Sequence, residues 1–150
     1  MECLSNNQQT PRIHAFCGLR PMQSSASNIF DASEQDFATR VVEASRLSLV
    51  LVDFWADWCP PCRALTPALE TLAAEYAGRL LLVKVEVDAG ENMKLAGRYR
   101  LRGFPTVILF RAGEEQTRFS GYKAPQAIRD IIDAQLSGDE PEPVRQPLTP

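Results

Sequence analysis

The sequence predicts an α/β domain built on one mixed β-sheet of about five strands flanked by four helices. Three observations predict it. Apolar runs of strand length alternate with segments of helical period, two late strand segments are joined by a tight turn, and a helical segment closes the series. The composition agrees: 45% of the 150 residues are hydrophobic and 23% charged, ordinary values for one globular domain.

The elements follow in order. Residues 27–30 are a short strand candidate. A helix is predicted next, because Ser33 precedes Asp36 by three positions as in a capping box, and Phe37, Val41, Val42 and Ser45 fall at helical spacing. Residues 49–55 (LVLVDFW) are nearly continuous apolar sequence, as expected of a central strand covered on both faces. From Cys59 onward, Leu65, Leu69, Leu72, Ala73 and Tyr76 share a helical face that stops at Gly78. Pro67 lies inside that helix and predicts a kink near Arg63, one turn back.

Residues 80–87 (LLLVKVEV) give another buried strand, and residues 91–99 a shorter helix with Asn92, Leu95, Ala96 and Tyr99 in register. Residues 106–111 and 115–120 read as an antiparallel hairpin turning at Ala112-Gly113. Pro125 opens the last helix, with Ile128, Ile131, Ile132 and Leu136 on its buried face and Gly138 beyond its end. Parallel βαβ units followed by a hairpin and a closing helix place helices on both faces of the sheet.

The ends differ in character. Residues 1–26 are rich in Asn, Gln, Ser and Pro without period and read as a flexible extension, and residues 138–150 as a Pro-rich solvated tail. Met22, just before the patterned sequence, is a candidate translation start. Sixteen Lys and Arg against nineteen Asp and Glu give a net charge of −3, which argues against a nucleic-acid partner. Apolar runs stop at four residues, whereas a membrane span needs roughly 20, so neither a membrane segment nor an export signal is expected.

The soft ligands are Cys3, Cys17, Cys59, Cys62 and one histidine, His14. That is too sparse for a disulfide-stapled scaffold and fits a reducing compartment with a working thiol pair. The pair stands in Trp58-Cys59-Pro60-Pro61-Cys62, directly after a central strand and at the start of a helix. There the helix dipole and unpaired backbone donors favour a thiolate at Cys59. Cys62, three positions on, comes within disulfide reach, and its N–H is the main candidate donor to the Cys59 sulfur because the two prolines between have none. The competing reading, half of a zinc site, would need its other ligands from Cys3, His14 and Cys17 in the extension; no bound metal is expected.

Residues 28–137 resemble the thioredoxin family. The resemblance rests on VDFWADWCPPC at 52–62, Pro67, VKVEVD at 83–88, RGFPT at 102–106, FRAGE at 110–114 and FSGY at 119–122, in the family's order. One departure stands out: Pro60 occupies a position where the family has glycine, and the resulting CPPC is reminiscent of tryparedoxins and of membrane-linked reductases of cytochrome maturation. The chain lacks the anchor and central insertion expected of that last group.

The resemblance implies the fold, a protein dithiol–disulfide oxidoreductase activity and a set of roles. Cys59 would be the attacking nucleophile and Cys62 the resolving thiol. Asp53 would be the buried carboxylate acting as base toward Cys62, with Lys84 its partner; the competing readings are a hydrogen-bonded structural acid and an exposed lysine without a role. Phe104-Pro105 would be the cis-proline loop, Gly121 the low rim beside it, Trp58 with Pro60 and Pro61 a contact surface, and Trp55 packing. No cofactor is expected beyond the redox-active disulfide, with electrons from NADPH through thioredoxin reductase. Disulfide-containing client proteins, a monomer and a cytoplasmic location are the further implications. The alternatives are a thioredoxin-like holdase chaperone or a dedicated reductase of one partner. Separately, Arg98, Arg100, Arg102, Arg111 and Arg118 form a basic cluster in the sequence, read either as a solvated face or as a dock for an acidic partner.

Overall fold

A computed structural model describes residues 27–138. The expectations for the two terminal segments, including the Met22 start and Cys3, His14 and Cys17, lie outside the described residues. The sheet has five strands: β1 (Ile29–Asp31), β2 (Leu49–Trp55), β3 (Leu80–Glu86), β4 (Thr106–Arg111) and β5 (Glu114–Ser120). Their spatial order is β1-β3-β2-β4-β5, parallel from β1 through β3 to β2 and antiparallel from β2 through β4 to β5. β2 is therefore central, as its unbroken apolar sequence predicts, and six of its seven residues are buried. The helices are α1 (Pro60–Glu75), α2 (Met93–Arg98) and α3 (Pro125–Ser137), preceded by an irregular helical segment between β1 and β2.

Side chains alternate across β2 because successive strand residues point to opposite faces. Leu49 and Leu51 join Leu65, Leu69 and Leu72 of α1, Leu80 and Leu82 of β3 and Ile128 and Ile132 of α3 in one core layer. Val50, Val52 and Phe54 join Phe37, Val41, Leu95, Ile108 and Phe110 in the other. Fully buried leucines of this kind contribute about 2–5 kcal/mol each against truncation to alanine. Asp53 follows the parity of Leu49 and Leu51, so its carboxylate is carried into the α1 layer.

The fourth expected helix is present between β1 and β2, in an irregular form that departs from the regular α-helical period. It is a wide π-turn run (Ala38–Glu43) followed by a 3₁₀ turn (Ala44–Arg46), and the Ala44 N–H reaches back to the Thr39 carbonyl. The expected Ser33–Asp36 pairing is present, with the Ser33 N–H donating to Asp36 Oδ1 at 2.6 Å. The departure accompanies a tertiary demand at Ser45, which is buried, donates to the Val42 carbonyl at 2.7 Å and accepts the Gly113 N–H at 2.9 Å. In the hairpin turn Ala112 and Gly113 both have positive φ, 55° and 83°, the pairing favoured by two-residue hairpins.

α1 runs continuously through Pro67, whose ring nitrogen leaves the Arg63 carbonyl without its usual intrahelical donor. The Thr71 hydroxyl in turn donates to the Pro67 carbonyl at 3.0 Å. Past its end, Gly78 takes φ +88°, the left-handed conformation that glycine adopts without a Cβ clash.

Candidate active site

The C-terminal end of β2 delivers the chain to Cys59, which caps the N-terminus of α1 with extended φ and ψ of −102° and 102°. Pro60 and Pro61 then occupy the first helical positions, where a missing N–H removes nothing the helix needs. The Cys62 N–H donates to the Cys59 sulfur at 3.4 Å. A disulfide joins the two residues across this turn, with Cα atoms 5.3 Å apart.

The pair is asymmetric. Cys59 is 4% exposed and Cys62 not at all. Cys59 Sγ lies 3.5 Å from the Phe104 carbonyl, at the edge of the loop before β4. The Phe104-Pro105 bond is cis. This loop is held from β5, since the Gly121 N–H donates to the Pro105 carbonyl at 2.8 Å and the Thr106 and Ser120 hydroxyls lie 3.1 Å apart. Gly121 has φ +79°, and a Cβ placed there would meet nothing within 4 Å. Backbone conformation, rather than crowding, is what calls for glycine at that position.

On the solvent side, Trp58 is 64% exposed, packs edge-on against Phe104 with ring centroids 6.1 Å apart, and donates its Nε1–H to Asp88. Pro60 and Pro61 are exposed beside it, and Trp55 is half-buried against the core. An apolar rim thus surrounds Cys59, while Cys62 is fully buried.

On the α1 side of β2, one helical turn beyond Cys62, Thr66 meets a small polar group in otherwise aliphatic surroundings. Asp53 is fully buried. Its Oδ2 accepts a hydrogen bond from Thr66 Oγ1 at 3.0 Å, and its Oδ1 has no partner among the described residues. Burial pushes its carboxyl up from the ordinary 3.8 to about 6, opposed by the Thr66 hydrogen bond and the positive field of Lys84 and assisted by Glu70. Lys84 is the strand neighbour of Asp53, but its ammonium bonds Glu70 at 3.0 Å and lies 3.9 Å from Asp31. It acts on Asp53 through space. The Glu70 hydrogen bond, together with the nearby acids, holds the Lys84 ammonium above its ordinary range.

Thr66 and Glu70 are not among the residues singled out from the sequence, though a signal for them is there. Cys62, Thr66 and Glu70 are spaced by four on one helix and therefore stack on one face. That face lies over Asp53 and Lys84. Asp88, the partner of the Trp58 indole, has no comparable signal.

Three arginines of the sequence cluster are held by partners. Arg98 pairs with Glu34 at 2.8 Å, Arg118 binds Glu115 and the Tyr99 carbonyl, and Arg111 donates to the Gln135 carbonyl. Arg100 and Arg102 are exposed just ahead of the proline loop. Arg100 sits there with a positive φ of 53°.

Two cysteines that open and close a disulfide at a helix start can accept and return an electron pair without any other redox group, which makes the protein a dithiol–disulfide oxidoreductase. Comparison with known proteins gives its family. The thioredoxin family profile matches residues 28–134. A thioredoxin of Acidithiobacillus ferridurans is 40% identical over 108 residues, covering 72% of this chain and 96% of that protein. Thioredoxins of Chlorobaculum thiosulfatiphilum and Bacillus subtilis are each 35% identical, over 111 and 108 residues, covering 74% and 72% of this chain and 99% and 98% of theirs. The chain belongs to the thioredoxin family.

Proposed function

We propose that the protein reduces disulfides of client proteins and is itself re-reduced by a thioredoxin reductase drawing on NADPH, as a cytoplasmic monomer. In the first step the Cys59 thiolate attacks one client sulfur, forming a Cys59–client disulfide and expelling the other client sulfur as a thiolate that takes up a proton. In the second, the Cys62 thiol gives its proton to Asp53 and attacks the Cys59 sulfur, closing the Cys59–Cys62 bond and releasing the second client thiolate. Two electrons pass to the client, and two protons end on its thiols. Trp58, Pro60, Pro61, Phe104, Pro105 and Gly121 form the rim that receives the client chain.

The observation that supports this reading best is the asymmetry of the pair. Cys59 lies at an apolar rim under the Phe104 carbonyl, while Cys62 is buried on the side of α1 that carries Thr66 over Asp53. The test is the reduction potential of the pair by equilibration with glutathione and dithiothreitol, alongside insulin reduction by thioredoxin reductase and NADPH. A strongly reducing potential with efficient turnover is expected. An oxidising potential, or a reducing pair that the reductase ignores, overturns the general reading in favour of a dedicated partner or a holdase.

A further inference from the structure

The Thr66 hydroxyl stands between two acceptors. Its oxygen is 3.0 Å from Asp53 Oδ2 and 3.0 Å from the Cys62 carbonyl. A threonine hydroxyl has one proton and can donate to one of them at a time. We propose that Thr66 is a positioning residue for the proton step, its hydroxyl donating to Asp53 while the carboxylate is charged and turning to the Cys62 carbonyl when Asp53 holds the proton. The proposal rests on the reading of Asp53 as the base toward Cys62.

Asp53 Oδ1 is buried without a partner among the described residues, so Thr66 supplies the direct hydrogen bond that fixes the carboxyl plane, whose torsion is otherwise soft. A charged carboxylate is the stronger acceptor, and a donor at 3.0 Å in this dry layer favours the charged form. Once protonated, Asp53 is best satisfied with its proton on Oδ2, donating to Thr66 Oγ1. That leaves the threonine proton for the carbonyl one turn back, a bond helical threonines commonly make. Either charge state is then hydrogen-bonded through the same residue, and Asp53 exchanges its proton without swinging. The other groups acting on or paired with Asp53 are Lys84 on β3, Glu70 on α1, and the aliphatic Val107, its register partner on β4; Cys62 is linked to it through Thr66, which also contacts the Cys62 carbonyl.

The test uses the full chain, reduced and mixed in stopped flow with the aromatic disulfide DTNB, which releases one chromophoric thiolate on attack and a second on resolution. In wild type the second phase is expected to follow ionisation of Asp53. Thr66→Val is expected to raise the midpoint of that phase by about one pH unit. The second phase then slows about fivefold at pH 6 and recovers above pH 8, while the first phase is unchanged. Thr66→Ser, which keeps the hydroxyl, restores the midpoint. Adding Thr66→Val to Asp53→Asn changes nothing further. Should the valine variant fold poorly, Thr66→Ala against Thr66→Ser gives the same comparison.

A second phase in Thr66→Val that superimposes on wild type, with Asp53→Asn clearly slowed, overturns the role of Thr66 alone. A second phase left intact by Asp53→Asn overturns the base reading and this inference with it.

Discussion

Asp53 makes stability depend on pH in a direction opposite to that of most carboxylates. An acid stabilised in its charged form by folding loses that contribution as pH falls, whereas Asp53 is raised from 3.8 to about 6, chiefly by desolvation. The folded state therefore holds its proton more tightly than the unfolded chain does. Below pH 4 both states are protonated at this group, and it leaves stability unaffected. Between about pH 4 and 6 the unfolded chain loses the proton first, and above pH 6 the folded state bears the whole difference. Two pH units correspond to about 3 kcal/mol, lost as pH rises through that window and absent above it. The group is fully buried, so solvent screening gives no reason to discount the figure heavily.

The perturbation is Asp53→Asn, which keeps the oxygen that accepts from Thr66 and removes the charge. Asparagine brings its own unpartnered amide into the layer, so the absolute change at any one pH mixes two effects. The pH-dependent part does not mix them. We expect the stability of the variant relative to wild type to rise by about 3 kcal/mol between pH 4 and pH 8, or roughly 10 °C in Tm, measured by urea unfolding of the disulfide form. A difference between the two proteins that stays flat from pH 4 to pH 8 would show that Asp53 ionises normally, and would refute the reasoning.

Other predictions follow from the same contacts. Cys59→Ser is expected to abolish attack, whereas Cys62→Ser should attack normally and accumulate a mixed disulfide visible by intact mass. Lys84→Gln is expected to raise the Asp53 midpoint and Glu70→Gln to lower it, because their charges act on the carboxyl with opposite signs; carboxyl titration by NMR reads both, and shifts in the same direction would be contrary to this electrostatic account. Charge reversal at the exposed Arg100 and Arg102 should slow association with an acidic client and flatten its salt dependence, while unchanged kinetics would leave these residues as a solvated face.

Strands β2, β3 and β4 were legible because they are largely buried and therefore nearly continuous apolar sequence, and the CPPC pair because its position after LVLVDFW fixes it at a helix start. The segment after β1 was less so. Its apolar spacing is compatible with an α-helix, and the wide turn goes with contacts from Ser45 to a hairpin some 65 positions away, which no local pattern encodes. The partners of the arginines are equally non-local: Arg98 pairs with Glu34, Arg111 with the Gln135 carbonyl and Arg118 with the Tyr99 carbonyl as well as its neighbour Glu115, while Arg100 and Arg102 are exposed. Thr66 was hidden by reading α1 for its apolar face alone, since the polar spacing of Cys62, Thr66 and Glu70 has meaning only once β2 and β3 are known to lie beneath it.

That polar spacing also explains how one short motif can serve two opposed requirements. In the proposed reaction, attack on a client needs a sulfur at the rim that the client chain can reach, and resolution needs a proton acceptor sheltered from water, where a carboxyl can titrate near neutrality. A helix turn meets both, because positions three apart differ in depth when the first is the cap and the second begins the inward face. Cys59 as cap stays beside the Phe104 carbonyl, and one and two turns beyond Cys62 come Thr66, which bonds Asp53, and Glu70, which bonds Lys84. Moving Asp53 one position along β2 would turn its side chain into the layer of Phe37 and Phe54, away from the Thr66 hydroxyl. Strand parity and helix phase must therefore agree for Thr66 to meet Asp53.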